Sequence, residues 1–158
     1  MSQLISGIAT NAPIWVWPLL IVLILVGIRS SRDRTTSAYL YYGLPLLGIM
    51  SINAIANQPN AAIAWACFVT GYVMGIAVGY SRQSNWLIEK SGARLTLQGE
   101  WFTMTVMMVI FFSNFVNGFM LSVAPTAQAS PIFTAAFAVI IGLAAGSFLG
   151  RAAFILRA

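Results

Sequence analysis

Charged residues are scarce in this sequence, and their scarcity excludes most soluble classes of protein. Only 7% of the 158 residues are charged, three of them acidic and eight basic, whereas 59% are hydrophobic. A soluble domain needs roughly a quarter or more of its surface residues to be charged, so this chain lacks the side chains to cover a water-facing surface. We therefore expect an integral membrane protein rather than a soluble enzyme or a nucleic-acid reader.

Histidine is absent and cysteine occurs once, which excludes several kinds of catalytic and metal site. Without histidine, the chain builds no histidine-based zinc site, no haem ligation of that type and no Ser-His-Asp triad. Because Cys67 is alone, no disulfide forms within the chain. We expect no metal, no cofactor and no enzymatic activity, and we interpret Cys67 as a small apolar filler.

Long apolar runs dominate the chain instead, and each is close to the roughly 20 residues that a helix needs to cross a bilayer. The predicted spans are 12–28, 37–56, 61–80, 103–122 and 132–150. The predicted fold class is an all-α membrane protein, a five-transmembrane-helix bundle that forms one domain over 1–158. No basic residue precedes the first span, unlike in a cleavable signal peptide, so we expect that span to remain as a helix.

The basic residues all follow the first, third or fifth span, and this alternation predicts an orientation. They are Arg29, Arg32, Arg34, Arg82, Lys90, Arg94, Arg151 and Arg157. Cytoplasmic loops of membrane proteins carry an excess of Lys and Arg, which places these connections in the cytoplasm. The predicted N-terminus is therefore outside and the C-terminus cytoplasmic, and the uncharged connections 57–60 and 123–131 face outside.

The polar connection at 81–102 contains a pattern that is typical of strands. Leu95 and Leu97 alternate with polar residues, a period of two, and Ser91-Gly92 is a turn signal. We expect Trp86–Glu89 and Arg94–Leu97 to form a small cytoplasmic β-hairpin between the third and fourth helices.

Glu100 is the acid nearest to a predicted span. We interpret it as an interfacial side chain that pairs with Arg82 or Arg94, the alternative being a carboxylate at the mouth of a pathway. No Asp, Glu, Lys or Arg is expected deep inside a span, which weakens a proton-coupled transport hypothesis.

Glycine recurs at every fourth position in spans three and five. The two rows are Gly71, Gly75, Gly79 and Gly142, Gly146, Gly150. This spacing places the glycines on one helix face, where a second backbone can approach closely. The rows predict close helix packing, either with each other or with a second protomer. They also allow spans two–three and four–five to be a duplicated helical hairpin, with a chance likeness as the alternative.

Three amide side chains, Asn53, Asn114 and Asn117, lie within predicted spans. An amide in hydrocarbon needs a hydrogen-bond partner, because leaving it unpaired costs several kcal/mol. One interpretation is that these amides join helices, a contribution of about 1 kcal/mol each. The other is that they line a polar pocket or substrate path.

Four sequence features occur in a characteristic order along the chain. They are the basic turn at 29–34, Leu44-Pro45-Leu46-Leu47-Gly48, Leu97-Gln98-Gly99-Glu100-Trp101 before a Met- and Phe-rich helix, and a last glycine-row helix ending in Gly150-Arg151. This order resembles small multi-pass proteins of the bacterial inner membrane, some of them labelled CcdC-like. The resemblance implies an inner-membrane location and carries over no active residues. The label implies a link to cytochrome c biogenesis, for which the chain has neither a thiol pair nor a histidine.

Two functions are compatible with these features. The first is a non-enzymatic accessory, assembly or structural subunit that packs through its glycine faces and presents a basic cytoplasmic face. Its partners would be the lipid bilayer and other membrane subunits or further copies of itself, and not nucleic acid. The alternative is a small oligomeric transporter or permeation pathway built around the Asn-bearing second and fourth helices.

Overall fold

A computed structural model describes residues 16–37, 47–91 and 94–157 of the chain. Its elements, in chain order, are α1 Val16–Ser30, β1 Arg34–Ser37, α2 Leu47–Ala56, α3 Ala61–Trp86, β2 Leu87–Ser91, β3 Arg94–Leu97, α4 Phe102–Val123, α5 Pro125–Gln128 and α6 Pro131–Arg157. The described chain is thus mainly helical, with one small sheet.

Three helices, α3, α4 and α6, are long and apolar enough to cross a membrane, with 26, 22 and 27 residues. Helix α1 is also apolar but shorter, at 15 residues. Helix α2 has ten residues, and positions 38–46 of the second predicted span lie outside the described residues. The three long helices establish a largely helical, membrane-type architecture.

Helices α3 and α6 pack side by side and run in the same direction. Near their starts, the Asn60 amide donates to the carbonyl of Ala129 at 2.7 Å. Near their ends, Arg151 Nε donates to Gln83 Oε1 at 2.8 Å. Because the starts meet the starts and the ends meet the ends, the two helices are parallel.

The start of α6 carries two ordinary helix-start signals. Pro131 is its first residue, where the missing proline N–H would have no helical partner in any case. Ser130 precedes it, and its hydroxyl accepts the backbone N–H of Phe133 at 3.2 Å. This is the hydrogen bond of an N-cap serine. The local sequence Ser130-Pro131 thus accounts for the start of α6 at Pro131.

Among the residues that the structure describes, two apolar clusters pack around α6. One joins α2, α3 and α6 and contains Ile55, Ala64, Phe68, Phe137, Ala138 and Ile141. The other joins α4 to α6 through Val106, Ala144 and Phe148. Helix α6 is therefore the central element, and 56% of its most apolar 18-residue segment is buried inside the protein.

The strands form a three-stranded antiparallel sheet in the order β1-β3-β2. The two segments expected to pair lie in β2 and β3, with Lys90 opposite Leu95. Helix α3 continues through Trp86, so β2 starts one residue later than predicted. Strand β1, which pairs Thr35 with Thr96, was not expected, and it includes Ser37, the residue predicted to begin the second span.

Two helices extend beyond the predicted spans. Helix α3 passes Tyr80 and ends at Trp86, and α6 passes Gly150 and ends at Arg157. The sequence-based limits marked where the apolar composition stops. A helix continues past that point wherever its backbone hydrogen bonds and side-chain packing continue, and this extension carries Gln83 and Arg151 into the protein interior.

Candidate functional site: an opposed glycine seam with a polar cluster at each end

The two glycine rows face each other across the α3–α6 contact. A Cβ added at Gly71 would lie 2.6 Å from the carbonyl oxygen of Val139, and one added at Gly142 would lie 2.5 Å from that of Phe68. Gly75 faces the backbone of Leu143 in the same way. Each glycine thus receives the backbone of the other helix, which only a residue without a Cβ allows.

The seam continues along both helices. Gly79 faces the backbone of Ser147, Gly146 faces that of Tyr72, and Gly150 faces that of Ile76. All six glycines of the two rows are buried. The structure therefore uses both rows inside one chain, which is one of the two arrangements that the sequence left open. We call this contact the glycine seam.

A buried ion pair lies at the end of the seam nearest the sheet. Arg151 Nη2 lies 2.9 Å from Glu100 Oε1, and the two residues are only 1% and 6% exposed. Arg151 Nη1 donates to the hydroxyl of Thr103 at 2.6 Å, and Arg151 Nε donates to Gln83. The guanidinium therefore joins α3, the start of α4 and α6. We call Gln83, Glu100, Thr103 and Arg151 the sheet-end cluster.

Glu100 also stabilises the first turn of α4. Its Oε2 accepts the backbone N–H of Thr103 at 2.8 Å, and its Oε1 accepts the hydroxyl of the same residue. A carboxylate at this position satisfies an N–H that has no partner within the helix and interacts favourably with the helix dipole. The acid is thus held by two independent contacts, the helix start and Arg151.

Aromatic rings enclose the guanidinium. The carbon at its centre lies 5.4 Å from the centroid of the Trp86 ring and 5.9 Å from that of Phe102. These distances are within the range of cation–π attraction. The side-chain amide nitrogen of Gln83 is the one buried side-chain polar atom without a hydrogen-bond partner in the part of the chain that the structure describes.

A second polar cluster lies at the opposite end of the helices. Asn117 Oδ1 accepts the amides of Gln58 at 3.0 Å and Gln128 at 3.1 Å. Gln128 also donates to Gln58 Oε1 at 3.2 Å. Because Gln58 precedes α3, Asn117 lies on α4 and Gln128 ends α5, these three amides connect three segments. We call Gln58, Asn117 and Gln128 the amide-end cluster.

The three asparagines predicted as intramembrane polar residues do not come together. Asn114 donates to the carbonyl of Ile110 on its own helix at 2.8 Å and is exposed. Asn53 is exposed and accepts the side-chain amide of Asn57. Of the three, Asn117 alone contacts other segments, so the interpretation that these amides join elements applies to Asn117 and not to Asn53 or Asn114.

The residues predicted to form a basic interface divide into two groups. Arg29, Arg32 and Arg82 are exposed, whereas Arg151 and Glu100 are buried. Glu100 pairs with Arg151 rather than with the described Arg82, whereas the sequence-based interpretation paired it with Arg82 or Arg94. The side chains of Arg34 and Arg94 lie outside the described residues.

Several site residues were missed from the sequence. Gln83, Thr103, Gln58 and Gln128 were not singled out, although all four are buried. One signal was available for Gln83, because it continues the four-residue spacing of the first glycine row after Gly79 and so lies on the same helix face. The partners of the other three residues depend on tertiary contacts that no local pattern encodes.

Comparisons with known proteins return little that bears on function. The chain is 36% identical over 71 residues to an uncharacterized protein of Pasteurella multocida (strain Pm70), an alignment that covers 44% of this chain and 56% of that protein. The aligned region thus spans little more than half the length of this relative. No family model matches the chain. No solved structure matches it either.

Proposed function

We propose that this chain is a non-enzymatic membrane subunit that serves as a rigid helical scaffold in an assembly. The observation that carries the proposal is the α3–α6 pair, in which opposed glycines allow backbone contact along the seam. A pair packed this closely resists sliding and separation, because protein interiors are close-packed and do not deform continuously.

The polar clusters at the two ends of the bundle support the same role. The sheet-end cluster joins α3, α4 and α6 through Arg151, and the amide-end cluster joins the start of α3 to α4 and α5. Between them, the described interior contains the two apolar clusters together with a few buried hydroxyl side chains such as Ser147. A bundle fixed at both ends and apolar in the middle suits a fixed support better than a moving gate.

The proposed topology has five membrane spans, with the sheet and the C-terminus in the cytoplasm of a bacterial inner membrane. The alternation of the basic residues supports this orientation. Arg151 lies 20 residues after Pro131, about 30 Å along the helix. That distance matches the roughly 30 Å thickness of the hydrocarbon core, so the sheet-end cluster would lie at the cytoplasmic edge of the membrane.

A transport pathway is the second candidate, and one observation favours it. Charged residues inside the membrane commonly mark ion or substrate routes. Arg151 on α6 and Glu100, which lies just before α4, are both buried. The Asn-bearing helices add less support, because Asn53 and Asn114 bond within their own helices. A pathway would therefore require several copies of the chain around a shared axis.

A native mass spectrum of the protein, extracted gently from its own membrane, separates the two candidates. The scaffold proposal predicts a complex that contains this 17.0 kDa chain together with other polypeptides. A mass equal to two or more copies of the 17.0 kDa chain, with no other polypeptide present, would contradict it and favour the oligomeric pathway, and a mass of 17.0 kDa alone would contradict both. The substitution Asn117→Leu with a flux assay on reconstituted vesicles then tests that pathway directly.

A further inference from the structure

An apolar groove runs along the outer surface of the bundle between α4 and α6. Its wider part has a volume of about 720 Å³ and is lined by Trp101, Met104, Met108 and Ile140, among others. A second part of about 270 Å³ continues from Phe112 and Ser113 toward Phe133. The two parts share Phe112, Ser113 and Ile140, so they form one groove.

The groove is long compared with one leaflet of a membrane. Its lining residues extend from Trp101, just before α4, to Val116 on α4, and this separation of 15 positions corresponds to about 22 Å along the helix. Half of the hydrocarbon core is roughly 15 Å thick. An acyl chain that enters at Trp101 would therefore find apolar lining throughout its own leaflet.

A basic turn lies beside the Trp101 end of the groove. Helix α1 contacts α4 near this end through Gly27. A Cβ added at Gly27 would lie 2.5 Å from the side chain of Met104, which lines the groove. The carbonyl of Ser30 then accepts the backbone N–H of Glu100 at 2.9 Å. These contacts fix the turn that carries Arg29 and Arg32, which are both exposed, next to the groove mouth.

The charges at this mouth are mainly positive. Glu100 is buried and paired with Arg151, so it does not neutralise the turn. Asp33 is the other acid whose side chain the structure describes here, and its carboxylate accepts the backbone N–H of Gly99 at 2.6 Å. Trp101 is 62% exposed at the same end, and tryptophan favours the depth of lipid headgroups.

We propose that the groove binds one acyl chain of an anionic phospholipid, with the lipid headgroup against the Arg29–Arg32 turn. The apolar lining matches the acyl chain, and the exposed arginines match a phosphate-bearing headgroup of net negative charge. Basic sites between membrane helices are known to bind such headgroups. The inference requires a membrane-spanning bundle but does not depend on the scaffold role, so either proposal can fail alone.

The test is native mass spectrometry of the detergent-solubilised protein with added phosphatidylglycerol or phosphatidylcholine of identical acyl chains. We expect preferential retention of phosphatidylglycerol, because each arginine near an anionic lipid contributes roughly a five-fold preference. The double variant Arg29→Gln/Arg32→Gln should lose most of this preference. The control Arg82→Gln/Arg157→Gln, which removes two exposed arginines elsewhere, should keep it. Equal retention of the two lipids by the unmodified protein would overturn the proposal.

A second pair of variants tests the groove itself. Ser113→Phe fills the groove on α4, whereas Ser122→Phe makes the same change on an exposed part of α4 that does not line it. Retention of phosphatidylglycerol should fall in Ser113→Phe alone. Equal retention by the two variants would overturn the proposal, as would a second copy of the chain bound in place of lipid. If Ser113→Phe does not fold, Thr105→Phe fills the groove nearer its mouth, with the same expected loss.

Discussion

Arg151 is the residue on which the largest number of elements depends. Its guanidinium contacts Gln83 on α3, Thr103 on α4 and Glu100 just before α4, and lies within cation–π distance of Trp86. A buried ion pair need not stabilise a fold more than apolar residues of equal volume would, but removing one partner leaves an uncompensated charge in the interior. The consequence of a substitution therefore depends on whether one or both partners are changed.

The first prediction concerns Arg151 and Glu100. Arg151→Met should lower the free energy of unfolding in detergent by about 3–5 kcal/mol, because Glu100 then remains buried without its counter-ion. The exposed Arg157 on the same helix provides the control, and Arg157→Met should change stability by less than about 0.5 kcal/mol.

The double variant Glu100→Gln/Arg151→Met should recover a large part of the loss, since no buried charge is left. Chemical or thermal unfolding of the four proteins measures all three differences. Equal stability of Arg151→Met and Arg157→Met would show that the pair is not buried as described.

The second prediction distinguishes two asparagines on α4. Asn117→Leu should destabilise the protein by about 1–3 kcal/mol, because the amides of Gln58 and Gln128 then lose their acceptor. Asn114→Leu should have little effect, because Asn114 is exposed and bonds only to its own helix. Unfolding curves that rank the two variants in the opposite order would contradict the assignment of the amide-end cluster.

At the scale of elements, the sequence predicted where the helices lie better than it predicted which helices pack against each other. The apolar runs locate the starts of α3, α4 and α6 to within one residue, because hydrocarbon-facing helices require continuous apolar composition, but α3 and α6 end six and seven residues beyond the predicted limits. The four-residue glycine spacing indicated close packing, but not which surface would meet it. Spans three and five have the same direction in the predicted topology, but their pairing and register come from the structure, through the end contacts of Asn60 and Arg151.

The sheet illustrates what local pattern leaves out. Alternating residues in Arg94–Leu97 predicted a strand, and β3 occupies that range. Strand β1 could not be predicted from the sequence. Its four residues, Arg34–Ser37, are too few to show an alternation of polar and apolar side chains, and the strand that pairs with it is about 60 residues away. Long-range strand pairing of this kind depends on where α1 and α4 bring the chain.

The third prediction tests the glycine seam with a matched pair of glycines. In Gly75→Ala, the new Cβ would meet the backbone of Leu143, so the helices must separate, at a cost of about 1–3 kcal/mol. Gly118 on α4 has nothing within 4 Å of the same added atom. Gly118→Ala should therefore stabilise the protein by up to about 1 kcal/mol through helix propensity. Destabilisation of similar size in both variants would contradict backbone contact at the seam.

At the scale of the whole molecule, the protein is a membrane-type helical bundle with a central helix pair and a polar cluster at each end. Composition alone predicted a membrane protein, because 7% charged residues are too few to cover the surface of a soluble domain. It did not predict the buried ion pair, since the span limits drawn at Gly150 placed Arg151 outside the helix. The duplication of helical hairpins and the resemblance to CcdC-like proteins stay predictions.

The orientation of the bundle decides on which side of the membrane the basic turn and the sheet-end cluster lie, and reporter fusions test it most directly. Alkaline phosphatase is active only outside the cytoplasm, so a fusion after Ala158 should be inactive and one in the Asn57–Asn60 turn should be active. The account predicts that pattern from the alternation of basic residues. An active fusion after Ala158 together with an inactive fusion in the turn would contradict it.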